Sequence, residues 1–133
     1  MSIETAIKTG ATAVAASGGD DTNLVSLGIQ GNKHTLYLEG ATSLLERTYF
    51  EFSVKNPQPS PSAPGGSTQA RATLLIKSPL TLANDNRTVN TVKIEVAYDP
   101  ETTSADVEEL METAAQLAAA SDFLPFWKGL NLT

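Results

Sequence analysis

The chain has 133 residues, a mass of 14.0 kDa and a formal net charge of −6, a size that suits one domain and leaves little room for two. With 41% hydrophobic and 18% charged residues it is globular in composition, and no stretch approaches the roughly 18 consecutive apolar residues of a membrane span. The absence of cysteine excludes disulfides, thiolate metal sites and thiol nucleophiles, and a single histidine, His34, excludes a multi-histidine metal centre, so neither a metal nor a cofactor is expected.

Residues 11–16 form a weak strand candidate, followed by the turn signal Ser17-Gly18-Gly19-Asp20. The first 30 residues lack a basic segment leading into an apolar one, so secretion is not expected. Residues 23–30 and 33–40 read as two strands around Gly31-Asn32. In residues 44–55, Glu46, Thr48, Phe50, Phe52 and Val54 alternate with Leu45, Arg47, Tyr49, Glu51, Ser53 and Lys55, the period of a half-buried strand. Residues 56–68 hold four of the seven prolines and two adjacent glycines and read as an extended hairpin loop. Alternation returns in residues 69–77, where Ala70, Ala72, Leu74 and Ile76 oppose Gln69, Arg71, Thr73, Leu75 and Lys77. A loop over 78–87 leads to the last strand, 87–97, in which Val92, Ile94 and Val96 oppose Thr91, Lys93 and Glu95. The expectation is a meander of about six strands.

From Thr103 the period becomes helical, with Val107, Leu110, Met111, Ala114, Leu117 and Ala118 on one stripe. Thr103 is placed to cap this helix, with acidic residues in its first turns where the helix dipole favours them. Ser121-Asp122 is placed to cap a second, shorter helix carrying Phe123, Leu124, Phe126, Trp127 and Leu130, with Pro125 in its first turn. So short an aromatic helix is unstable alone and must dock on an apolar surface.

Charge is unevenly distributed. Residues 1–32 carry −2, residues 33–98 carry +2 and residues 99–133 carry −6, which suits two faces with opposite tasks. Few residues offer catalytic chemistry. His34 has no triad pattern around it, Asp20-Asp21 lacks calcium-loop spacing, and Gly65-Gly66-Ser67-Thr68 lacks the phosphate-loop lysine. The triplets Asn86-Arg87-Thr88 and Asn131-Leu132-Thr133 match a glycosylation acceptor, a common chance match. Glu108, Glu109 and Glu112 read as a solvated helix face. One constellation remains: Arg47, Lys55, Arg71, Lys77, Arg87 and Lys93 share odd parity, opposite the apolar positions of their strands. Tyr49, Ser53, Gln69, Thr73 and Thr91 accompany them, a mixture that positions phosphates and stacks unpaired bases. Glu51 and Glu95 share the face and favour the plainer alternative, a solvated sheet surface.

A polar-faced antiparallel meander followed by one longer and one short helix resembles the coat proteins of single-stranded RNA bacteriophages, the levivirus-like family. The likeness spans roughly residues 11–132 and is best in RTVNTVKIEVAYDPETTSADVEELMETAAQLAAASDFLPFWKGLNL, residues 87–132. It implies an α+β coat-protein domain over 1–133, with the sheet in 1–98 and helices in 103–130 that pack on a partner subunit. Two chains would interlock into a homodimer with one continuous sheet, burying Phe50, Phe52, Leu110, Leu117, Phe123, Phe126, Trp127 and Leu130. Dimers would form an icosahedral capsid around single-stranded viral RNA, with Asn84, Asp85 and Asn86 at contacts between dimers. By strand correspondence, an RNA hairpin for translational repression or packaging would meet Arg47, Tyr49, Lys55, Arg71, Thr73, Lys77, Thr91 and Lys93. The implied location is the virion, with assembly in the bacterial cytoplasm, and the implied role is structural rather than enzymatic, with no membrane or small-molecule substrate. The residues also suit a small dimeric regulator that binds single-stranded nucleic acid. The proline-rich loop is longer and the charge more acidic than usual for the family.

Overall fold

A computed structural model describes residues 22–132 of the chain. Of these, residues 22–101 belong to a sheet unit and residues 102–132 to a helical unit. The expected strand at 11–16, the turn at 17–20 and the Asp20-Asp21 pair lie outside the described residues.

The sheet has five antiparallel strands in sequential order: β1 (Leu24–Gln30), β2 (Lys33–Leu38), β3 (Tyr49–Lys55), β4 (Ala70–Thr81) and β5 (Arg87–Tyr98). The connections are short or hairpin-like, so neighbours in sequence become neighbours in space. Gly31 has φ 59° in the tight β1–β2 turn, a conformation that glycine adopts without steric cost. Near its middle β1 is broken by a register shift between Ser26 and Ile29, with Gly28 at φ 98°. Ser26 Oγ closes that bulge by accepting from the Gly28 amide at 3.1 Å and sharing a 2.7 Å hydrogen bond with His34 Nε2. His34 is thus an ordinary strand residue tied to its neighbour.

Within the sheet, the start of β3 and the end of β4 differ most from expectation. The alternation over 44–55 predicts one strand, yet Leu44–Glu46 is a 3-10 turn and β3 begins only at Tyr49. Ser43 is the cause, because its Oγ accepts from the Leu45 amide at 3.2 Å and offers the backbone a local alternative to the ladder. The loop expected over 78–87 is shorter, since β4 continues to Thr81 and β5 starts at Arg87. Pro79 is compatible with a strand here because β3 pairs with β4 only as far as Tyr49↔Lys77, leaving residues 78–81 paired with β5 alone. The remaining tip is a closed turn. Leu82 N donates to Asn86 O at 2.8 Å, Asn86 N to Asn84 Oδ1 at 3.1 Å, and Asp85 takes a left-handed φ of 65°.

The proline-rich segment 56–68 is a hairpin arm, as its composition suggested. Thr68 N donates to Gln58 O at 2.8 Å, Gln58 N to Thr68 Oγ1 at 2.9 Å, and Ser60 N to Gly66 O at 2.9 Å. These bonds close the arm on itself despite its four missing proline amides.

In the helical unit, α1 (Ser104–Ala119) starts as expected, with Thr103 Oγ1 accepting from the Asp106 amide at 3.2 Å. The second helix starts later than expected. Ser121–Phe123 is itself a 3-10 turn with no side-chain cap, and α2 spans Leu124–Gly129 with Pro125 in its first turn. Proline supplies a preset φ where no amide partner is needed, which substitutes for a capping side chain. The helices are joined by the Trp127 indole, whose Nε1 donates to Leu117 O at 2.8 Å, and Phe126 meets Trp127 edge to face at 4.8 Å.

Among the described residues no side chain is buried. Even-numbered positions of β2 to β5 form the apolar face, yet Phe52 is 42%, Val54 52%, Val92 53% and Ile94 40% exposed, and in the helical unit Trp127 is 55% exposed.

Candidate nucleic-acid interface

The strand register places the odd-numbered residues of β2 to β5 on one face in successive cross-strand rows. Tyr37, Tyr49, Lys77 and Thr91 form one row; Thr35, Glu51, Leu75 and Lys93 the next; then Lys33, Ser53, Thr73 and Glu95; and finally Lys55, Arg71 and Ala97. At the opposite end β4 and β5 extend the face by Pro79 facing Val89 and Thr81 facing Arg87. Seven of the eight residues expected to meet RNA, Tyr49, Lys55, Arg71, Thr73, Lys77, Thr91 and Lys93, are on this face. The eighth, Arg47, precedes β3 rather than lying in it, but its guanidinium stacks 3.9 Å from the centre of the Tyr37 ring and so reaches the same surface.

Lys33 and Tyr37 belong to the face and were absent from the expected set. Their signal was available in the alternation of Lys33, Thr35 and Tyr37 with His34, Leu36 and Leu38. With them the face gathers every base among the described residues except Lys128.

Carboxylates divide that charge. Glu51 lies 3.1 Å from Lys33 Nζ and 3.3 Å from Lys77 Nζ. Glu95 accepts from Arg71 at 2.6 Å and from Thr73 Oγ1 at 3.2 Å, and stands 3.8 Å from Lys93. Partial burial pushes the Glu51 carboxyl up, but hydrogen bonds from Lys33 and Lys77 and their charges outweigh it and hold the group below the ordinary glutamate range. Hydrogen bonds from Arg71 and then Thr73 hold Glu95 below that range as well. Lys55 and Arg71 face each other across the ladder as like charges, a destabilising pair that Glu95 relieves from the Arg71 side.

The remaining cations behave differently. Arg47, Lys55 and Arg87 have no carboxylate partner among the described residues, and Arg87 Nη1 donates instead to the Leu45 carbonyl at 3.1 Å. Arg47 Nε is enclosed without a hydrogen-bond partner. Beside these arginines lies a shallow pocket of about 220 Å³ lined by Leu44, Leu45, Arg47, Tyr49, Lys77, Pro79 and Val89.

Of the residues expected at a dimer contact, Phe50 and Phe52 lie on the apolar sheet face, and Leu110, Leu117, Phe123, Phe126, Trp127 and Leu130 lie in the helical unit. Phe52, Leu110, Trp127 and Leu130 are exposed and the other four are partly covered. Asn84, Asp85 and Asn86 form the β4–β5 tip. Among the described residues no three histidine, aspartate or glutamate side chains cluster as a metal site, and no helix is long and apolar enough to cross a membrane.

No protein-family model and no curated protein matches the sequence. Solved structures do. A chain of the virus-like particle of bacteriophage GQ-907 is 26% identical and superposes with a TM-score of 0.83 over 98% of both chains. A chain of the virus-like particle of bacteriophage AVE019 has 14% identity and a TM-score of 0.67 over 92% of this chain and 98% of that one. For the virus-like particle of Beihai levi-like virus 21 the values are 17%, 0.66, 93% and 97%. The latter two establish the shared fold.

Proposed function

We propose that this chain, which has the fold of the levi-like phage coat proteins, is the structural subunit of an icosahedral virion shell. The observation that carries the proposal is the likeness to the GQ-907 particle chain, with a TM-score of 0.83 over 98% of both chains. Its residues serve as one coat domain, with the sheet within 1–98 and the helices within 103–130 packing on a partner's sheet.

Dimerisation follows from unfinished burial. A sheet with Phe52, Val54, Val92 and Ile94 exposed, and a six-residue α2 presenting an exposed Trp127, are marginal without further apolar cover. A second copy supplies it to both. The sheet edges differ as well: β1 is blunted by its bulge, whereas β5 is a twelve-residue strand without proline, exposed on both faces from Arg87 to Glu95. An unblunted edge of that length is a template for a second strand, so β5 is the edge that continues the sheet into the partner. The β4–β5 tip with Asn84, Asp85 and Asn86 then projects from the dimer toward its neighbours.

The odd-numbered face, carrying Arg47, Tyr49, Lys55, Arg71, Thr73, Lys77, Thr91 and Lys93, is the side turned to single-stranded RNA. Its cations attract phosphates, and Tyr49 offers a ring to an unpaired base or a hairpin loop. The chain is placed in the virion, after assembly in a bacterial cytoplasm.

Electron microscopy and size-exclusion chromatography of the purified protein test this. Particles near the void volume with ultraviolet absorbance of packaged nucleic acid are expected. A species that remains a dimer at all concentrations, with or without RNA, refutes the shell and favours a small RNA-binding regulator.

A further inference from the structure

The odd-numbered face is not uniformly receptive to anions. Lys33 and Lys77 share Glu51, and Arg71 and Lys93 share Glu95, so the centre of the sheet is largely neutralised from within. Two guanidiniums at the β4–β5 end are fixed without a carboxylate partner among the described residues, Arg47 by stacking on Tyr37 and Arg87 by donating to the Leu45 carbonyl. A guanidinium held by a ring or a carbonyl keeps its charge and its remaining donors for a phosphate.

The same corner breaks the polar pattern of the face. Pro79 and Val89 oppose each other at odd positions, where the rest of the ladder is mostly polar. With Leu44 and Leu45, each 66% exposed, they wall the pocket of about 220 Å³. Folding gains little from apolar groups left this exposed, and such patches mark binding sites. The volume is below the roughly 300 Å³ at which sites for drug-sized molecules begin, which suits one planar base with its phosphate outside.

We infer that this corner pocket binds a single unpaired nucleotide of RNA, the base lying against Leu44, Leu45, Pro79 and Val89 and the phosphate meeting Arg47 and Arg87. The inference rests on the reading of the odd-numbered face as the RNA side, and it moves the strongest contact from the centre of the sheet to its end.

The test uses the full-length protein below its assembly concentration, titrated with a 12-nucleotide oligoadenylate, with inorganic polyphosphate and with adenosine monophosphate. Arg47→Gln and Arg87→Gln should each weaken oligoadenylate binding about tenfold and lower the logarithmic salt slope by about 0.7. Val89→Trp, which fills the pocket, should weaken it about tenfold at unchanged slope, as loss of a stacked base does, and leave polyphosphate binding intact. Leu45→Ser repeats that arm with a smaller side chain in case the tryptophan perturbs folding. Arg71→Gln should cost less than about threefold, because Glu95 already offsets that charge. If Arg71→Gln weakens binding while the four pocket variants do not, the pocket is refuted and the RNA-facing surface stands. If the wild-type protein fails to bind oligoadenylate, both are refuted. Adenosine monophosphate binding as tightly as the oligonucleotide overturns the assignment to RNA and points to a free nucleotide.

Discussion

Replacing Glu95 by glutamine should strengthen RNA binding, although Glu95 lies in the middle of the face proposed to meet RNA. Its carboxylate accepts from Arg71 at 2.6 Å and stands 3.8 Å from Lys93, so every phosphate approaching either cation competes with an acceptor already in place. The amide keeps an oxygen for the Thr73 hydroxyl, which donates to Glu95 at 3.2 Å, and removes only the charge. Two cations are then released to the nucleic acid. At roughly 0.7 per phosphate neutralised on a single strand, the logarithmic salt slope should steepen by up to about 1.4. Between about 50 and 200 mM salt that difference changes the affinity ratio of variant to wild type by up to about sevenfold, with the gain greatest at low salt. Fluorescence anisotropy of a labelled oligoadenylate across that range reads both quantities. Weaker binding by Glu95→Gln, or an unchanged slope, would show that Arg71 needs the carboxylate as a strut and would sink the idea of internal competition.

Four further outcomes follow from the geometry. Thr103→Ala should lower stability by about 0.5–2 kcal/mol through loss of the cap on the Asp106 amide, read as a urea midpoint at unchanged m-value. Asp85→Gly, which relieves a left-handed residue, should leave the dimer equally stable or up to about 1 kcal/mol more stable, while lowering particle yield in micrographs if the tip joins dimers; normal yield argues against the contact. Glu51 and Glu95 titrate lower in the folded state than in the unfolded chain, so their ion pairs stabilise above the ordinary glutamate range and lose that effect as pH falls through the lower folded values; the wild-type advantage over a Glu51→Gln/Glu95→Gln double variant should vanish there. Trp127→Ala should cost about 3–5 kcal/mol if a partner covers the ring, measured as concentration-dependent unfolding, whereas about 1 kcal/mol, the hydrogen bond to Leu117 alone, would leave the indole uncovered in the assembled state.

Sheet parity was legible from residue order because alternation reports facing directly: Phe50, Phe52 and Val54 opposite Tyr49, Glu51 and Ser53 admits one pleat only. The α1 start was equally legible, since Thr103 precedes an unbroken helical stripe. What escaped depended on competition between local and ladder hydrogen bonds. Glu46 and Thr48 continue the alternation of β3, but the Ser43 side chain diverts the backbone into a 3-10 turn, and no periodicity records that. Pro79 concealed the last residues of β4, because its cost depends on where the neighbouring strand ends. The placement of Arg47 over Tyr37 brings together residues ten positions apart through β2–β3 pairing, and the division of cations between Glu51 and Glu95 depends on the same lateral register. Such contacts are properties of pairing partners and not of any one segment.

Pairing also reconciles an acidic chain with the proposed RNA-facing role. The net charge of −6 averages over elements whose charges are segregated: residues 99–133 alone carry −6, while the odd-numbered sheet face sets seven cations, Arg47 included, against Glu51 and Glu95. What a phosphate meets is the local surplus, since charges more than about 10 Å away are largely screened at moderate salt. Within that face the surplus is concentrated again, because each glutamate occupies two cations and leaves Arg47, Lys55 and Arg87 without a carboxylate partner among the described residues. Lys55 lies toward one end of the strands, and the two arginines flank the apolar pocket at the other. On the proposed reading, a strand of RNA drawn to the face by charge would find its strongest donors beside the place where a base can leave water.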